Sequence, residues 1–108
     1  MNATATNDTK PFAVSVPGDL VSTTTDALRQ QLAALLEPAG APPPWRTLQL
    51  DLTHASMVDS VGLNLIVTIL RAVQNHGGKM QIKLTSPNVL RTFQFTRLNQ
   101  HIELIQQN

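Results

Sequence analysis

Cysteine is absent from this 108-residue chain. That excludes a disulfide framework, thiol chemistry and cysteine-ligated zinc, and is compatible with a reducing compartment. Tyrosine is absent too, and the aromatics come down to three Phe and one Trp. The core must therefore be aliphatic, built from Leu, Ile, Val and Ala. Charge is sparse: the net value is +1, and the basic residues are scattered as Lys10, Arg29, Arg46, Arg71, Lys79, Lys83, Arg91 and Arg97. No patch tracks a phosphate backbone, so no nucleic-acid partner is expected. The longest strongly apolar segment, 61–73, is interrupted by Asn64, Thr68 and Arg71, and is too short and too polar to span a bilayer. The start, MNATATNDTK, lacks the charged and apolar regions of a secretory signal. The expectation is a soluble, cytoplasmic chain without membrane insertion.

Motifs that carry chemistry are missing as well. There is no G-x-x-x-x-G-K-[ST] loop, so nucleotide hydrolysis has no support. Ser60 with His54 and Asp51 or Asp59 has the residue types of a hydrolytic triad. Yet no G-x-S-x-G elbow exists, and nothing supplies the mutual geometry that a triad needs. His54, His76 and His101 are scattered, and His54 with its neighbouring carboxylates has no recognisable ligand spacing. The chain is expected to be no enzyme and to hold neither metal nor cofactor.

What is present is an alternation of periods. Residues 1–10 read as a flexible polar arm, and 11–108 as a single domain. FAVSV alternates like a half-buried strand and is punctuated by Pro17-Gly18. The TTTD run offers N-caps to a helix whose apolar face is Leu28, Leu32, Leu35 and Leu36, ending near Glu37-Pro38. PAGAPPPW reads as a stiff connection within the domain. Thr47 to Leu52 alternates again, and its strand has a continuation available in Met57-Val58 after a break at Thr53-His54. From Ser60 or Val61 to His76 the period is helical, with one polar stripe of Asn64, Thr68, Arg71 and Asn75 and a Gly77-Gly78 C-cap. Met80, Ile82 and Leu84 mark another strand. Ser86-Pro87 then starts a helix carrying Val89, Leu90 and Phe93. His101 to Ile105 fits a last strand or a helix. Strands joined by helical crossovers predict an α/β fold: a central, mostly parallel β-sheet with helices packed against it.

The polar break in MVDSVGLNLI, between two apolar segments, carries a resemblance. LQLDLTHASMVDSVGLNLIVTILRAVQNHGGKMQI resembles the core of the STAS domain, and specifically the bacterial anti-sigma-factor antagonists (anti-anti-sigma factors). A strand with an L-D-L-like run leads through D-S-x-G-L into a long helix that ends at G-G before another strand. Upstream, PGDL is similar to the family's G-E/D-L segment; downstream, SPNVLRTFQFTRLNQHIEL is similar to S-P-x-V-x-R-x-F-x-x-T/S-G-L. Three departures stand out: Val21 where a second acid is frequent, Val61 where Ser, Thr or Ala is common, and Arg97 where the late motif has glycine.

The resemblance implies a partner switch. The unphosphorylated form binds a cognate anti-sigma factor, a GHKL-type serine kinase, and frees the sigma factor. Phosphorylation of Ser60 ends binding, and a PP2C-type phosphatase reverses it. The implied partner surface gathers Gly18, Asp19, Leu20 and Val21, then Asp59, Ser60, Val61, Gly62 and Leu63, then Ser86, Pro87 and Asn88. All three segments follow expected strand ends, which share one rim in a parallel sheet. Read from local structure alone, Ser60 is equally a helix N-cap, Asp59 closes an Asx turn or meets a kinase-side group, and Gly62 permits a close backbone approach. Small STAS proteins also serve as subunits of lipid-trafficking ABC transporters, a constitutive role that needs no reversible serine. Some STAS members are reported to bind nucleotides.

Overall fold

A computed structural model describes residues 11–36 and 44–107. The arm 1–10, most of the proline-rich connection and Asn108 lie outside the described residues. The elements are β1 (Phe12–Ser15), α1 (Thr25–Gln31), α2 (Ala33–Leu36), β2 (Thr47–Leu52), α3 (Ser60–Asn75), β3 (Lys79–Leu84), α4 (Pro87–Phe95), a 3-10 turn (Leu98–Gln100) and β4 (Glu103–Gln106). The four strands form one sheet in the order β1-β2-β3-β4, with every pair parallel. The α/β expectation is met.

Because the strand order never reverses, right-handed crossovers bring the connecting helices to one face of the sheet. The strand residues sort accordingly. Val14, Leu48, Leu50, Leu52, Met80, Ile82 and Leu84 are buried, while Gln49, Asp51, Gln81 and Lys83 remain half-buried on the other face. That second face satisfies itself along one row: Gln49 donates to Gln81 at 3.1 Å, and Gln81 donates to Glu103 at 2.9 Å. On the core side, α3 contributes Leu65, Ile66, Ile69, Leu70 and Val73, and α4 contributes Val89 and Phe93. Phe93 is a fully buried ring in this otherwise aliphatic core, while Phe12 and Phe95 are exposed. At about 1.5–3 kcal/mol for each large side chain taken from water, this aliphatic set supplies the main driving force for the fold.

The boundaries of α3 follow from local chemistry. Gly77 takes φ +75°, and the amides of Gly77 and Gly78 return to the carbonyls of Gln74 and Val73, both at 2.9 Å. This is the left-handed C-cap expected from the G-G pair. Ser86 caps α4 through its hydroxyl, which accepts from the amides of Asn88 and Val89, with Pro87 as the first helical residue.

Two expectations are corrected and one open alternative is decided. The first helix is two pieces, broken at Leu32, where the backbone leaves helical geometry (φ −108°, ψ 18°). Leu28, Leu32 and Leu35 are still buried and Leu36 half-buried, and both pieces pack on α3. Contact with the long helix, not a local breaker residue, accompanies this break. Second, Met57-Val58 does not continue β2. After a turn at Thr53-His54, Val58 makes an isolated parallel bridge to Leu20. Third, the tail resolves into the 3-10 turn followed by β4.

Candidate functional site

The carboxyl ends of β1, β2 and β3 all lie on one rim of a parallel sheet, so the loops that follow them are neighbours. Hydrogen bonds fix how closely. Leu20 donates its amide to the Met57 carbonyl at 3.1 Å, and Asp59 donates its amide to the Leu20 carbonyl at 3.2 Å. Asp19 accepts from the amide and hydroxyl of Ser56 at 2.8 and 3.1 Å. Asn88, in the first turn of α4, donates its side-chain amide to the Ser56 carbonyl at 3.1 Å, and Thr85, in the β3–α4 loop, donates to the Thr53 carbonyl at 2.9 Å. The three segments singled out from the sequence therefore meet around Ser56, a residue the sequence reading did not name.

The start of α3 is built by Asp59. Its backbone is extended, and one carboxylate oxygen accepts the Gly62 amide at 2.8 Å, the contact of an N-cap. The other oxygen accepts the Ser22 amide at 2.9 Å from the β1–α1 loop. The N-cap is thus Asp59 and not Ser60, which corrects the local reading of the serine. Ser60 is the first residue of the helix itself. It is exposed, and its hydroxyl makes no hydrogen bond among the described residues.

Gly62 is buried beneath this arrangement. A β-carbon there would collide with the carbonyl oxygen of Leu20 and press on its side chain. The close backbone approach expected of this glycine is present. The segments that meet here also carry accessible apolar side chains beside the Asp59 carboxylate: Val61 and Met57 are 42 % and 50 % exposed, and Val21 and Leu63 are half-buried. Gly18 and Asp19 are half-buried in the turn after β1, Leu20 is fully buried, and Pro87 and Asn88 are exposed.

The TTTD run behaves differently from a simple cap. Thr24 occupies the N-cap position of α1 without capping it; its hydroxyl accepts the Val21 amide at 2.9 Å and donates to the Asp19 carbonyl at 2.8 Å. It folds the β1–α1 loop instead.

The three carboxylates of this region are all held as anions. Gly62 and then Ser22 amides keep Asp59 below its ordinary pKa, and the Ser56 amide and hydroxyl do so for Asp19. The Thr53 hydroxyl and amide, at 2.6 and 2.9 Å, lower Asp51. Each carboxylate is committed to closing a turn or joining loops, which leaves none of them placed as a general base toward Ser60. The three histidines are exposed, and no group of three metal-ligating side chains occurs among the described residues. A groove of about 790 Å³ runs beside the β1–α1 loop, lined by Val16, Pro17, Ala27 and Leu28 with Thr23 and Gln31. It offers apolar surface, a few neutral polar groups and the Asp19 carboxylate. No helix among the described residues is long and apolar enough to cross a membrane.

Comparison with known proteins places this geometry in a family. The STAS domain model matches residues 1–108, the whole chain. The Anti-sigma-B factor antagonist of Bacillus subtilis is 26% identical over 104 residues, covering 96% of this chain and 90% of that protein. Among solved structures, a Thermotoga maritima protein assigned as an anti-sigma factor antagonist superposes with a TM-score of 0.74 at 17% identity, covering 91% of this chain and 80% of that one. The anti-sigma factor antagonist SpoIIAA in its unphosphorylated form gives 0.62 at 16% identity, covering 91% and 79%. A sulfate transporter family protein from Wolinella succinogenes gives 0.68 at 10% identity, covering 97% and 86%. These structural likenesses establish the fold. The whole-chain match establishes the family: the chain belongs to the STAS domain family.

Proposed function

We propose that this STAS-domain chain is an anti-sigma-factor antagonist that works by partner switching. In its unphosphorylated form it binds an anti-sigma factor, a serine kinase of the GHKL type, and so releases a sigma factor. Phosphate on Ser60 ends the binding, and a PP2C-type phosphatase restores it. The surface that binds is the accessible part of the rim, Gly18, Asp19 and Val21, Asp59 to Val61 with Leu63, and Ser86 to Asn88, with Met57 added, while Leu20 and Gly62 are buried beneath it.

The observation that carries this reading is the state of the Ser60 hydroxyl. It stands exposed at the first turn of a helix, unpartnered among the described residues and flanked by exposed Val61 and Met57. Asp59 already takes the Gly62 amide, and its own carbonyl takes the Leu63 amide at 2.8 Å. A phosphate on Ser60 therefore finds the helix start largely occupied. Its charge of about −1.5 to −2 would stand beside the Asp59 anion and face outward. Against an apolar contact surface, such a charge is repelled and is expensive to desolvate. A loss of about 3 kcal/mol weakens binding more than a hundredfold, enough for a switch without any refolding. The 26% identical relative is by name an antagonist of this class, which favours the same reading.

The test compares tagged wild type with Ser60→Asp as baits in lysate of the source cell, with captured proteins identified by mass spectrometry. A GHKL-type kinase retained by wild type and lost from a folded Ser60→Asp protein is the expected result. An ABC-transporter ATPase retained equally by both would replace the switch with a constitutive transporter subunit. Kinase-dependent phosphate found on another residue of wild type would remove the assignment of Ser60.

A further inference from the structure

Two carboxylates cross between the same two loops. Asp19, in the β1–α1 loop, grips Ser56 of the β2–α3 loop; Asp59, at the end of the β2–α3 loop, grips the amide of Ser22 in the β1–α1 loop. Each pair is 37 residues apart in sequence. Between them run the backbone bridge Leu20–Val58 and the close packing of Gly62 on the Leu20 carbonyl. Capping α3 requires only one oxygen of Asp59. The second oxygen has no local task, and it is spent on the other loop.

We propose that Asp59 is a positioning residue: through its second oxygen it fixes the β1–α1 loop against the start of α3, so that a partner meets both loops as one preformed surface. The bridge itself is a property of the free protein; its consequence for a partner rests on the reading given under Proposed function. Preformed loops lose less freedom on docking than loops that must be ordered by the partner. The charge on Asp59 matters because a carboxylate accepts strongly from two separate amides at once.

Asparagine at this position separates the two tasks. Asn caps helices as well as Asp does. Its one carbonyl oxygen can accept the Gly62 amide, but its NH2 then faces the Ser22 amide, donor against donor. The bridge can also be removed from the other side. The Thr24 amide donates to the Val21 carbonyl at 2.9 Å, which makes Ser22 the second residue of a four-residue turn. Arg97 is the sole non-glycine with positive φ among the described residues, so Ser22 has a negative φ. Proline suits that turn position and lacks the amide proton.

The experiment takes full-length wild type, Asp59→Asn, Ser22→Pro and the double variant. Amide exchange by NMR is followed with no partner present. Affinity is then measured for the kinase identified by the capture above. Asp59→Asn should accelerate exchange of the Ser22 amide by about tenfold or more while β2 and β3 amides keep their protection. Each single variant should weaken kinase binding by about fivefold or more, and the double variant should be no weaker than the worse single one, since all three lose the same bond. Unchanged Ser22 exchange in Asp59→Asn overturns the bridge, whatever is captured. Accelerated exchange with unaltered affinity in both single variants overturns the positioning role. Failure to capture any kinase removes the function proposed above and with it this role, while the exchange result still decides on the bridge.

Discussion

The two ends of α3 are equally tight and differently made. At the C-terminal end, Gly77 and Gly78 turn their amides back on the helix, and the Lys79 amide reaches the Arg46 carbonyl at 2.8 Å. A β-carbon at Gly78 would lie 2.5 Å from that same carbonyl oxygen. Everything there is closed by backbone. At the N-terminal end, Gly62 packs closely on Leu20, and the backbone bridge there is joined by side chains of Asp19 and Asp59 from two loops and of Asn88 from the start of α4. That end also leaves the Ser60 hydroxyl unpartnered among the described residues and the side chains of Val61 and Met57 exposed. The C-terminal end is closed by backbone hydrogen bonds of Gly77, Gly78 and Lys79. The other keeps the Ser60 hydroxyl and exposed apolar side chains at the surface, an arrangement that suits the docking role proposed above.

Matched glycine substitutions are the strongest way to break this comparison. Gly62→Ala and Gly78→Ala each force a methyl onto backbone and should each destabilise by about 1–3 kcal/mol, as overpacking does, with Gly62→Ala at the upper end. Chemical denaturation measures both. The difference should appear in binding per folded molecule. If the proposed function holds, Gly62→Ala separates the β1–α1 and β2–α3 loops and loses the proposed kinase partner, whereas Gly78→Ala binds as wild type does. Equal loss of binding in both would mean that the two ends are not functionally distinct.

Acid sharpens the same contrast without changing the chain. Asp19 and Asp59, both at the N-terminal end, have folded-state pKa values below the ordinary 3.8. A group with a depressed folded pKa contributes stability that is fully present above its unfolded value and is lost as pH falls through the folded one. Stability should therefore hold from neutrality down to about pH 5 and fall below about pH 4. The Ser22 and Ser56 amides should lose protection there before the amides of β2 and β3 do. Denaturation curves at a series of pH values, repeated on Asp19→Asn/Asp59→Asn, check this: the double variant should show a shallower acid limb. An identical acid limb would assign the acid sensitivity to Asp51, whose pKa is also depressed, and to other carboxylates.

What could be read from the chain beforehand follows the same division. The alternation in β2 and β3, the extent of α3, the Gly77-Gly78 stop and the Ser86-Pro87 start all depend on residues within a turn or two of each other, and local chemistry displays them. The rim segments were legible because each follows a strand and carries a motif. The bonds that join them were not. Nothing near Ser56 announces that Asp19 will hold it, and nothing near Ser22 announces Asp59, because only the packed sheet brings these positions together. The exchange of Ser60 for Asp59 as the cap has the same origin in part. Ser and Asp are both good caps, and the extended backbone that decides between them is set where Asp59 joins the Leu20 bridge. The break at Leu32 likewise has no breaker residue beside it.

The smallest effects concern the two residues that turn left-handed among the described residues, Gly77 and Arg97, at φ +75° and +61°. Gly77 is the residue type this conformation favours, so Gly77→Ala should cost about 1 kcal/mol. Arg97 stands where the family motif has glycine, and it adopts the glycine conformation all the same. Its amide donates to the Gln94 carbonyl and its carbonyl accepts from Gln100, both at 3.2 Å, so the turn before the 3-10 segment is held by backbone and not by the guanidinium. The left-handed state costs a residue with a side chain about 1–2 kcal/mol, and glycine returns part of that through greater freedom in the unfolded chain. Arg97→Gly should therefore stabilise the protein by about 0.5–1 kcal/mol, and a thermal melt should show a small rise in Tm. Arg97→Asn, which tolerates the same conformation with less unfolded-state freedom, should gain as much or more. A fall in Tm for both variants would show that the exposed arginine side chain contributes more than its backbone strain removes.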